Sequence, residues 1–317
     1  MALSREEIHI ISHHGKMEKE AIRSSMRRNV YARPDQWKKF VKLFLLTLGV
    51  GFTTSGILFF FAFNWDSLHK LIKIGLMETL VTLTVALVIF GKFSLPVKNT
   101  ILMGAAILVG TLFAVYGQVY QTGANAYDFF LGWTLFISLW VFVSNFPALW
   151  LLLLVLINTT FLLYIDQVGL DLDAISVFLI LFILTALPLV LLNVLFNVSI
   201  IPVLPVWFRR VVELASLFFI TSAVISGIFE ARPSSWYSAL FIASCSFGAI
   251  FFYGFTVRII FYPAIIFTSL IAILSCVIIE FSNEIELTLL LVSIFVMISV
   301  TLLIKFILFL QRKWTDG

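Results

Sequence analysis

Long apolar runs and short polar interruptions alternate along most of the 317-residue chain. Most of the apolar runs reach the roughly 17–25 residues that a helix needs to cross a hydrocarbon core. The pattern therefore predicts ten membrane-spanning helices joined by short connections. The predicted spans are Leu43–Phe63, Ile72–Phe90, Thr100–Tyr116, Phe129–Ser144, Ala148–Tyr164, Ala174–Phe196, Val211–Phe229, Trp236–Phe255, Ile259–Ile279 and Leu287–Phe309.

The fourth and fifth spans are separated only by Asn145, Phe146 and Pro147. A single helix over residues 129–164 would be about 54 Å long, far longer than the bilayer core is thick. Proline also removes a helical hydrogen bond and disfavours helix continuation from the preceding turn. We therefore predict a helix break at these residues, with full crossing or turning back left open.

Composition supports an integral membrane protein. Hydrophobic residues make up 61% of the chain and charged residues 12%, and the mean hydropathy is +1.09. Soluble domains are nearer half apolar and a quarter charged. Because the apolar runs are continuous rather than alternating, they indicate helices rather than a membrane barrel. We therefore predict an all-α, polytopic fold, in which Cys245 and Cys276 serve as small hydrophobic residues.

The positive charges are distributed unevenly between the two sides of the predicted bundle. With the N-terminus inside, 18 of the 21 Lys and Arg residues fall on the cytoplasmic side, and only Lys70, Lys73 and Arg232 fall outside. Because cytoplasmic loops of membrane proteins are enriched in Lys and Arg, both termini are predicted to be cytoplasmic. The predicted organisation is a basic cytoplasmic segment (1–42), a membrane bundle (43–310) and a cytoplasmic tail (311–317).

Cysteine labelling of intact cells tests this topology. A cysteine placed at Thr122, in an outer connection, is expected to react with a membrane-impermeant maleimide. A cysteine at Ser94, in a cytoplasmic connection, is expected to react only after the cells are opened. Labelling at position 94 but not at position 122 in intact cells would reverse the predicted orientation.

The N-terminal segment is predicted to contain two short helices, Leu3–His13 and Met17–Asn29, on either side of Gly15. Its basic residues continue up to Lys42. Basic residues at a membrane surface are attracted to anionic lipid headgroups by about 1 kcal/mol each. We therefore expect the segment to contact anionic headgroups, and we predict no nucleic-acid binding because no recognition fold is present.

The connection Gly117–Asp128 is long and polar, with twelve residues and neither Lys nor Arg. Gly117 and Gly123 are expected to adopt positive φ, which glycine tolerates. Asn125 is expected to cap the next helix, and Asp128 to face the positive end of its dipole. Six residues of this connection are candidate ligand-binding residues: Gln118, Tyr120, Gln121, Asn125, Tyr127 and Asp128.

Two carboxylates lie inside predicted spans. Glu78 lies about 7.5 Å deeper than Lys73 along the second span, where an ionisable group usually faces a cavity or a partner. We predict that Glu78 faces the bundle interior; an interfacial carboxylate bridged by water to a lysine is the alternative. Glu213 follows Arg209 and Arg210 by four and three residues, and this spacing predicts a local salt bridge.

Two weaker patterns concern packing and symmetry. Small residues four apart, as at Gly51, Gly227 and Gly248 with their small partners, indicate close helix approach in lipid. A polar and charged pattern repeats between the second and seventh spans. This repetition raises the possibility of two inverted halves of five helices each.

Two motifs resemble a known family. The first is the span end Ile57–Asp66, which closes with Asn64, Trp65 and Asp66; the second is Gly117–Trp133. In this order and spacing they resemble the bacterial membrane proteins grouped as domain of unknown function 2157, over roughly residues 1–165. The resemblance implies a multi-pass protein of the bacterial inner membrane and carries no assigned activity.

Two functional hypotheses follow. The first is a permease-like or ligand- or lipid-binding bundle with a site at the outer face. The second is a non-transporting scaffold, sensor or assembly partner that acts through its basic N-terminal segment. No phosphate loop, dinucleotide fingerprint, metalloprotease motif or nucleophile elbow occurs in the sequence. We therefore predict no enzymatic activity, cofactor or metal.

The two motifs are also predicted to meet. With the N-terminus inside, both lie at the outer face, so Trp65 and Asp66 are expected to contact Tyr120, Gln121 or Tyr127. Aromatic rings beside an acid suit a cationic or polyhydroxyl ligand, including a lipid headgroup. The alternative is a structural contact in which polar side chains satisfy backbone groups freed at helix ends.

Overall fold

The computed structural model describes residues 19–29, 34–64, 68–120, 125–197, 204–230, 233–282 and 284–315. These residues form eleven α-helices and no β-strand. The helices are α1 (Lys19–Asn29), α2 (Pro34–Phe63), α3 (Lys70–Phe90), α4 (Leu95–Tyr120), α5 (Ala126–Ser144), α6 (Pro147–Val168), α7 (Ala174–Asn197), α8 (Val206–Phe229), α9 (Ser234–Val257), α10 (Phe261–Phe281) and α11 (Ile285–Thr315).

The predicted all-α, multi-pass architecture is confirmed. Ten of the described helices, α2 to α11, are long and apolar enough to cross a membrane. Each overlaps one predicted span. The largest difference is at α2, which begins at Pro34 rather than at Leu43. Proline is favoured at the first helical position because its missing N–H would be unpaired there, so the predicted boundary at residue 42 falls inside one continuous helix.

The predicted helix break between the fourth and fifth spans is also confirmed. Asn145 ends α5 in the left-handed conformation with φ of 48°, which asparagine tolerates better than most residues. Pro147 is the first residue of α6. Both helices that flank the break are long and apolar enough to cross a membrane.

The chain divides into two compact units, residues 1–120 and 121–317. In the first unit, α4 packs against both α2 and α3. A Cβ on Gly104 of α4 would lie only 2.7 Å from Cγ1 of Val50 on α2. The close approach expected at Gly51 is wrong, because no atom lies within 4 Å of a Cβ built there. Helices α2 and α4 approach closely at Gly104 instead, where the Val50 side chain packs against the glycine.

The second unit is organised around α8, which packs against α6, α7, α9 and α10. A buried apolar cluster that includes Ile175, Ile220 and Ala239 joins α7, α8 and α9. A second cluster, which includes Leu154, Leu192 and Phe208, joins α6, α7 and α8. The second cluster packs the start of α8, which carries Arg209 and Glu213, against α6 and α7. The first cluster packs a later part of α8, from Leu217 to Val224.

Two further contacts hold the second unit together. The indole N–H of Trp236 on α9 donates to the Val224 carbonyl of α8 at 3.0 Å, and its ring lies directly on Gly227. The predicted close approach at Gly227 is thus confirmed, whereas Gly248 has nothing within 4 Å of a built Cβ. Between α6 and α7, the Thr185 hydroxyl donates to Asn158 Oδ1 at 3.3 Å.

The division into units falls between Tyr120 and Gln121. It therefore follows the third membrane-crossing helix rather than the fifth. The hypothesis of two inverted halves of five helices stays a prediction.

Candidate functional site

A charged cluster lies at the start of α8. The Nε atom of Arg209 lies 4.0 Å from Oε1 of Glu213, one helical turn away. The predicted local salt bridge at Glu213 is thus confirmed. By the predicted topology, this end of α8 faces the cytoplasm.

The cluster also includes a residue from α10. The Tyr262 hydroxyl donates to Oε1 of Glu213 at 3.2 Å, across 49 residues of sequence. Only 3% of Tyr262 is exposed, and its ring packs edge-on against Tyr253 of α9 with centroids 5.2 Å apart. The close approach of α9 at Gly254, where a Cβ would lie 2.6 Å from Tyr262 Cβ, holds the tyrosine in place.

A second arginine joins the same two helices. The guanidinium carbon of Arg210 on α8 lies 4.9 Å from the ring centroid of Phe261, the first residue of α10. This geometry is a cation–π contact, in which the ring quadrupole attracts the cation. Arg210 is otherwise exposed. The paired ends of α8 and α10 thus carry two guanidinium groups around one carboxylate.

Two polar atoms of this cluster are incompletely paired. Oε2 of Glu213 and Nε of Arg209 are buried, and neither has a hydrogen-bond partner among the described residues. A buried polar atom without a partner costs about 1–3 kcal/mol, and more when it is charged. The cluster therefore has one acceptor and one donor without a hydrogen-bond partner among the described residues, and such buried groups call for an explanation.

A groove lies between α8 and α10, beside the cluster. It has a volume of about 330 Å³, within the roughly 300–1,000 Å³ that is usual for ligand sites. Its walls are apolar except for four hydroxyl groups, two from each helix, on Thr221, Ser222, Thr268 and Ser269. Among these, Oγ1 of Thr221 is buried and has no partner among the described residues. The groove thus combines apolar walls with a few polar groups.

The charged cluster adjoins the groove on the same pair of helices, and neither Glu213 nor Tyr262 is among the residues that line the groove. Leu214, the residue after Glu213, lines the groove on α8, and Ile265, one turn after Tyr262, lines it on α10. On α8 the lining runs from Leu214 to Ile225, a distance of about 17 Å along the helix. We call this combination the α8–α10 groove. It has a charged end at the predicted cytoplasmic interface and an apolar, hydroxyl-bearing body within the membrane.

Three other cavities differ in their lining. One of about 520 Å³, at the junction of α10 and α11, includes Glu284. The cavity between α10 and α11, of about 410 Å³, is lined by apolar residues and Ser299. The cavity among α2, α3 and α4, of about 420 Å³, has only threonine hydroxyls. Such crevices are what apolar helices leave at a lipid-facing surface. The α8–α10 groove differs from these cavities because a cluster of two guanidinium groups and one carboxylate lies beside it.

The structure corrects the predicted polar connection. Gly117 and the candidate residues Gln118 and Tyr120 belong to α4, which ends only at Tyr120. Gly117 is therefore helical rather than at positive φ. The physical reason is that helical hydrogen bonding continues through Gly117 despite its low propensity, and Tyr116 and Tyr120 stack one turn apart, at 4.6 Å. Gln121 and Gly123 lie outside the described residues.

The start of α5 differs from the prediction in its capping group. Asn125 occupies the N-cap position, but its side chain makes no capping hydrogen bond. Instead, Oε1 of Gln167, near the end of α6, accepts from the Tyr127 N–H at 3.1 Å. The rings of Tyr127 and Tyr164 also pack edge-on at 5.1 Å. Asp128 lies in the first turn as predicted, so α5 is capped from α6.

The remaining candidate residues are in the first unit. Asn64 follows the last residue of α2, and its side chain donates to the Phe60 carbonyl at 2.9 Å. Trp65 and Asp66 lie outside the described residues, so the predicted contact between the two motifs stays a prediction. Glu78 is exposed, whereas Lys73 and Met77 on the same helix are buried. Its predicted inward orientation is wrong, because the residues of α3 that face the packed interior are Lys73, Ile74, Met77 and Val81.

A polar contact also joins α7 and α9 in the second unit. Asp173 precedes α7 and accepts hydrogen bonds from Ser176 and from Ser235 of α9. These hydroxyl donors, Ser176 first, hold the pKa of Asp173 below its ordinary value of 3.8. Since the ionised form is favoured in the folded protein, Asp173 stabilises the fold above about pH 3.8, and this contribution is lost as the pH falls through the lowered pKa.

We expect Asp173→Ala to lower the free energy of unfolding by about 1 kcal/mol at neutral pH, as is usual for a lost N-cap. The difference from the unmodified protein should shrink as the pH falls below 3.8. Unfolding in detergent at several pH values measures it. Asp171→Ala, at an exposed carboxylate two residues earlier, is the control and should have little effect. An equal loss in both variants would show that Asp173 has no special role.

The fold defines a multi-pass helical membrane protein. Residues 16–150 match the family described as "Predicted membrane protein (DUF2157)", for which no activity is assigned. The resemblance inferred from the two motifs is thus confirmed over this part of the chain. No curated protein and no solved structure matches. The matched region ends before α7, so the α8–α10 groove lies outside it.

Proposed function

We propose that the protein binds an amphiphile, with the apolar part in the body of the α8–α10 groove and the polar part at its charged end. The observation that carries this proposal is the position of an apolar, hydroxyl-bearing groove directly beside the incompletely paired Glu213–Arg209 cluster, between the same two helices. The function is binding rather than catalysis. It is the ligand- or lipid-binding form of the hypothesis drawn from the sequence, with the site moved from the outer face to this groove.

The energetics of a membrane favour this arrangement. Within the hydrocarbon core, packing of an apolar chain gives little discrimination, because the surrounding lipid is equally apolar. Charged groups near the interface are the ones that can select a ligand. A site that combines both keeps the ligand's chain in a defined groove and recognises its headgroup.

The wider setting is part of the same proposal. We propose that the protein lies in the bacterial inner membrane and that the basic residues of α1 and the start of α2 contact anionic headgroups. Among them, Arg23, Arg27, Lys38 and Lys39 are all exposed. No nucleic acid is proposed as a partner. If the protein is a permease, it moves the bound amphiphile between the two leaflets. If it is a sensor or scaffold, a protein partner binds differently to its lipid-bound and lipid-free forms.

The test is to fill the groove. Ala272 lines the groove on α10 and is itself exposed, so Ala272→Trp adds an indole to the groove with little effect on the core. We expect native mass spectrometry of the purified protein to show that most of the retained lipid is lost. The matched control is Ala114→Trp, at an exposed alanine of α4, which should retain lipid as the unmodified protein does.

Two results would contradict the proposal. One is an unmodified protein that retains no lipid after detergent exchange, which would favour the scaffold or assembly-partner hypothesis. The other is equal lipid retention in Ala272→Trp and Ala114→Trp, which would place the retained lipid elsewhere on the protein.

A further inference from the structure

The donors and acceptors at the charged end of the groove indicate which headgroup a ligand would need. Glu213 has two carboxylate oxygens, and their surroundings differ. Oε1 accepts from Tyr262 and faces Arg209, whereas Oε2 is buried and receives no hydrogen bond from the described residues. A ligand that completes this carboxylate must bring an N–H or O–H donor, and a positive charge would strengthen the bond.

The arginines require the opposite group. Nε of Arg209 is a buried donor without an acceptor among the described residues. Arg210 uses the face of its guanidinium on Phe261, which leaves its edge N–H groups available. Guanidinium groups bind phosphate oxygens with two parallel hydrogen bonds more readily than ammonium groups do. A ligand that completes the arginines therefore brings a phosphate.

We propose that the groove selects a zwitterionic phospholipid of the phosphoethanolamine class, an inference that rests on the proposed function. The ammonium group donates to Oε2 of Glu213, and the adjacent phosphodiester accepts from Arg209 and Arg210. The acyl chain follows the groove towards Thr221. One headgroup thus supplies, on neighbouring atoms, the donor and the acceptor that the cluster lacks.

Other headgroups can be ranked by the hydrogen bonds that they can make with Glu213, Arg209 and Arg210. Phosphocholine has the same charges but its quaternary nitrogen carries no N–H, so it leaves Oε2 of Glu213 without a donor. Phosphoglycerol can donate from its hydroxyl groups but brings no positive charge to the carboxylate. A phosphate monoester places additional negative charge beside Glu213. Each loses at least one charge-assisted hydrogen bond, worth about 1.5–3 kcal/mol, or about tenfold or more in affinity.

The test is a methylation series that needs no mutation. Lipids with identical chains and a phosphoethanolamine, monomethyl, dimethyl or trimethyl headgroup are added to the delipidated full-length protein, and bound lipid is measured by native mass spectrometry. We expect affinity to fall by about tenfold or more across the series, with the largest step where the last N–H is lost. Phosphoglycerol lipid of the same chains should bind less tightly than phosphoethanolamine lipid.

A variant identifies the carboxylate. Glu213→Gln keeps the side-chain shape and an acceptor for Tyr262, and it should reduce the preference for phosphoethanolamine over phosphocholine to nearly equal binding. Glu230→Gln, at the exposed opposite end of α8, is the matched control and should keep the full preference. Because the lipid series is measured on the unmodified protein, a variant that fails to fold does not remove the test.

The outcomes separate the two proposals. Equal binding of all four headgroups in the unmodified protein would overturn the headgroup inference and leave the groove as a binding site. A preference that survives in Glu213→Gln would also overturn it, because the carboxylate would then not be the selecting group. Failure to bind any of the lipids would overturn the proposed function itself.

Discussion

Gly227→Ala is expected to lower the free energy of unfolding by about 3 kcal/mol, near the upper end of what overpacking a helix contact costs. A Cβ at this position would overlap the Trp236 indole ring, which lies directly on the glycine. The ring cannot turn away freely, because its N–H is bonded to the Val224 carbonyl and it packs against the buried cluster of α7, α8 and α9. Helices α8 and α9 must therefore separate.

Unfolding of the purified protein in mixed detergent micelles measures the effect. The matched control is Gly248→Ala on α9, where a built Cβ meets nothing within 4 Å. This control should change stability by less than about 1 kcal/mol, and in the stabilising direction if helix propensity dominates. Equal stability of the two variants would show that α8 and α9 do not pack through Trp236.

Gly254→Ala is expected to lower the free energy of unfolding by about 2 kcal/mol and to weaken lipid retention in the same protein. A Cβ on Gly254 would lie 2.6 Å from Tyr262 Cβ and 3.2 Å from Pro263 Cδ. Neither atom is the end of a flexible side chain, so α9 and α10 must move apart. That movement takes the Tyr262 hydroxyl away from Glu213 and disturbs the charged end of the groove.

Two measurements separate packing from binding at Gly254. Unfolding in detergent reports the packing loss, and native mass spectrometry reports the retained lipid. Gly248→Ala, on the same helix, should leave both unchanged. If Gly254→Ala lost stability but retained lipid as the unmodified protein does, Tyr262 would be a structural residue and not part of the binding site.

The sequence predicted the spans well because membrane insertion imposes a simple length and polarity rule. A helix must satisfy its own backbone hydrogen bonds in lipid, so continuous apolar runs identify helices directly. The break at Asn145 and Pro147 followed from the same length rule. The rule fails where polar residues continue a helix, and therefore Gly117, Gln118 and Tyr120 were assigned to a loop although α4 continues through them.

The sequence could not predict the charged end of the groove, because its members come from distant segments. The spacing of Arg209 and Glu213 predicted their salt bridge, but nothing in the sequence pairs Glu213 with Tyr262. The same holds for Gln167, which caps α5 at Tyr127 from the end of α6. One local feature marks Tyr262 as a residue near the membrane interface. It precedes Pro263 at the start of a span, shortly after the basic residue Arg258.

Some of the candidate residues predicted at the outer face have a structural role. Tyr127 and Asp128 start a helix that is tied to α6 through Gln167 and Tyr164, so part of the second motif has a structural role. Glu78, by contrast, is exposed on α3, and this position does not agree with the predicted inward orientation. The carboxylate that joins two packed helices is Glu213 instead, through its hydrogen bond from Tyr262.

An experimental structure in nanodiscs that contain phosphatidylethanolamine tests the central claim most directly. The account predicts continuous density for an acyl chain between α8 and α10, with a phosphate beside Arg209 and Arg210. It also predicts a headgroup nitrogen within hydrogen-bond distance of Glu213. A closed interface between α8 and α10, with Oε2 of Glu213 bonded to a residue of this chain and no lipid beside it, would contradict the account.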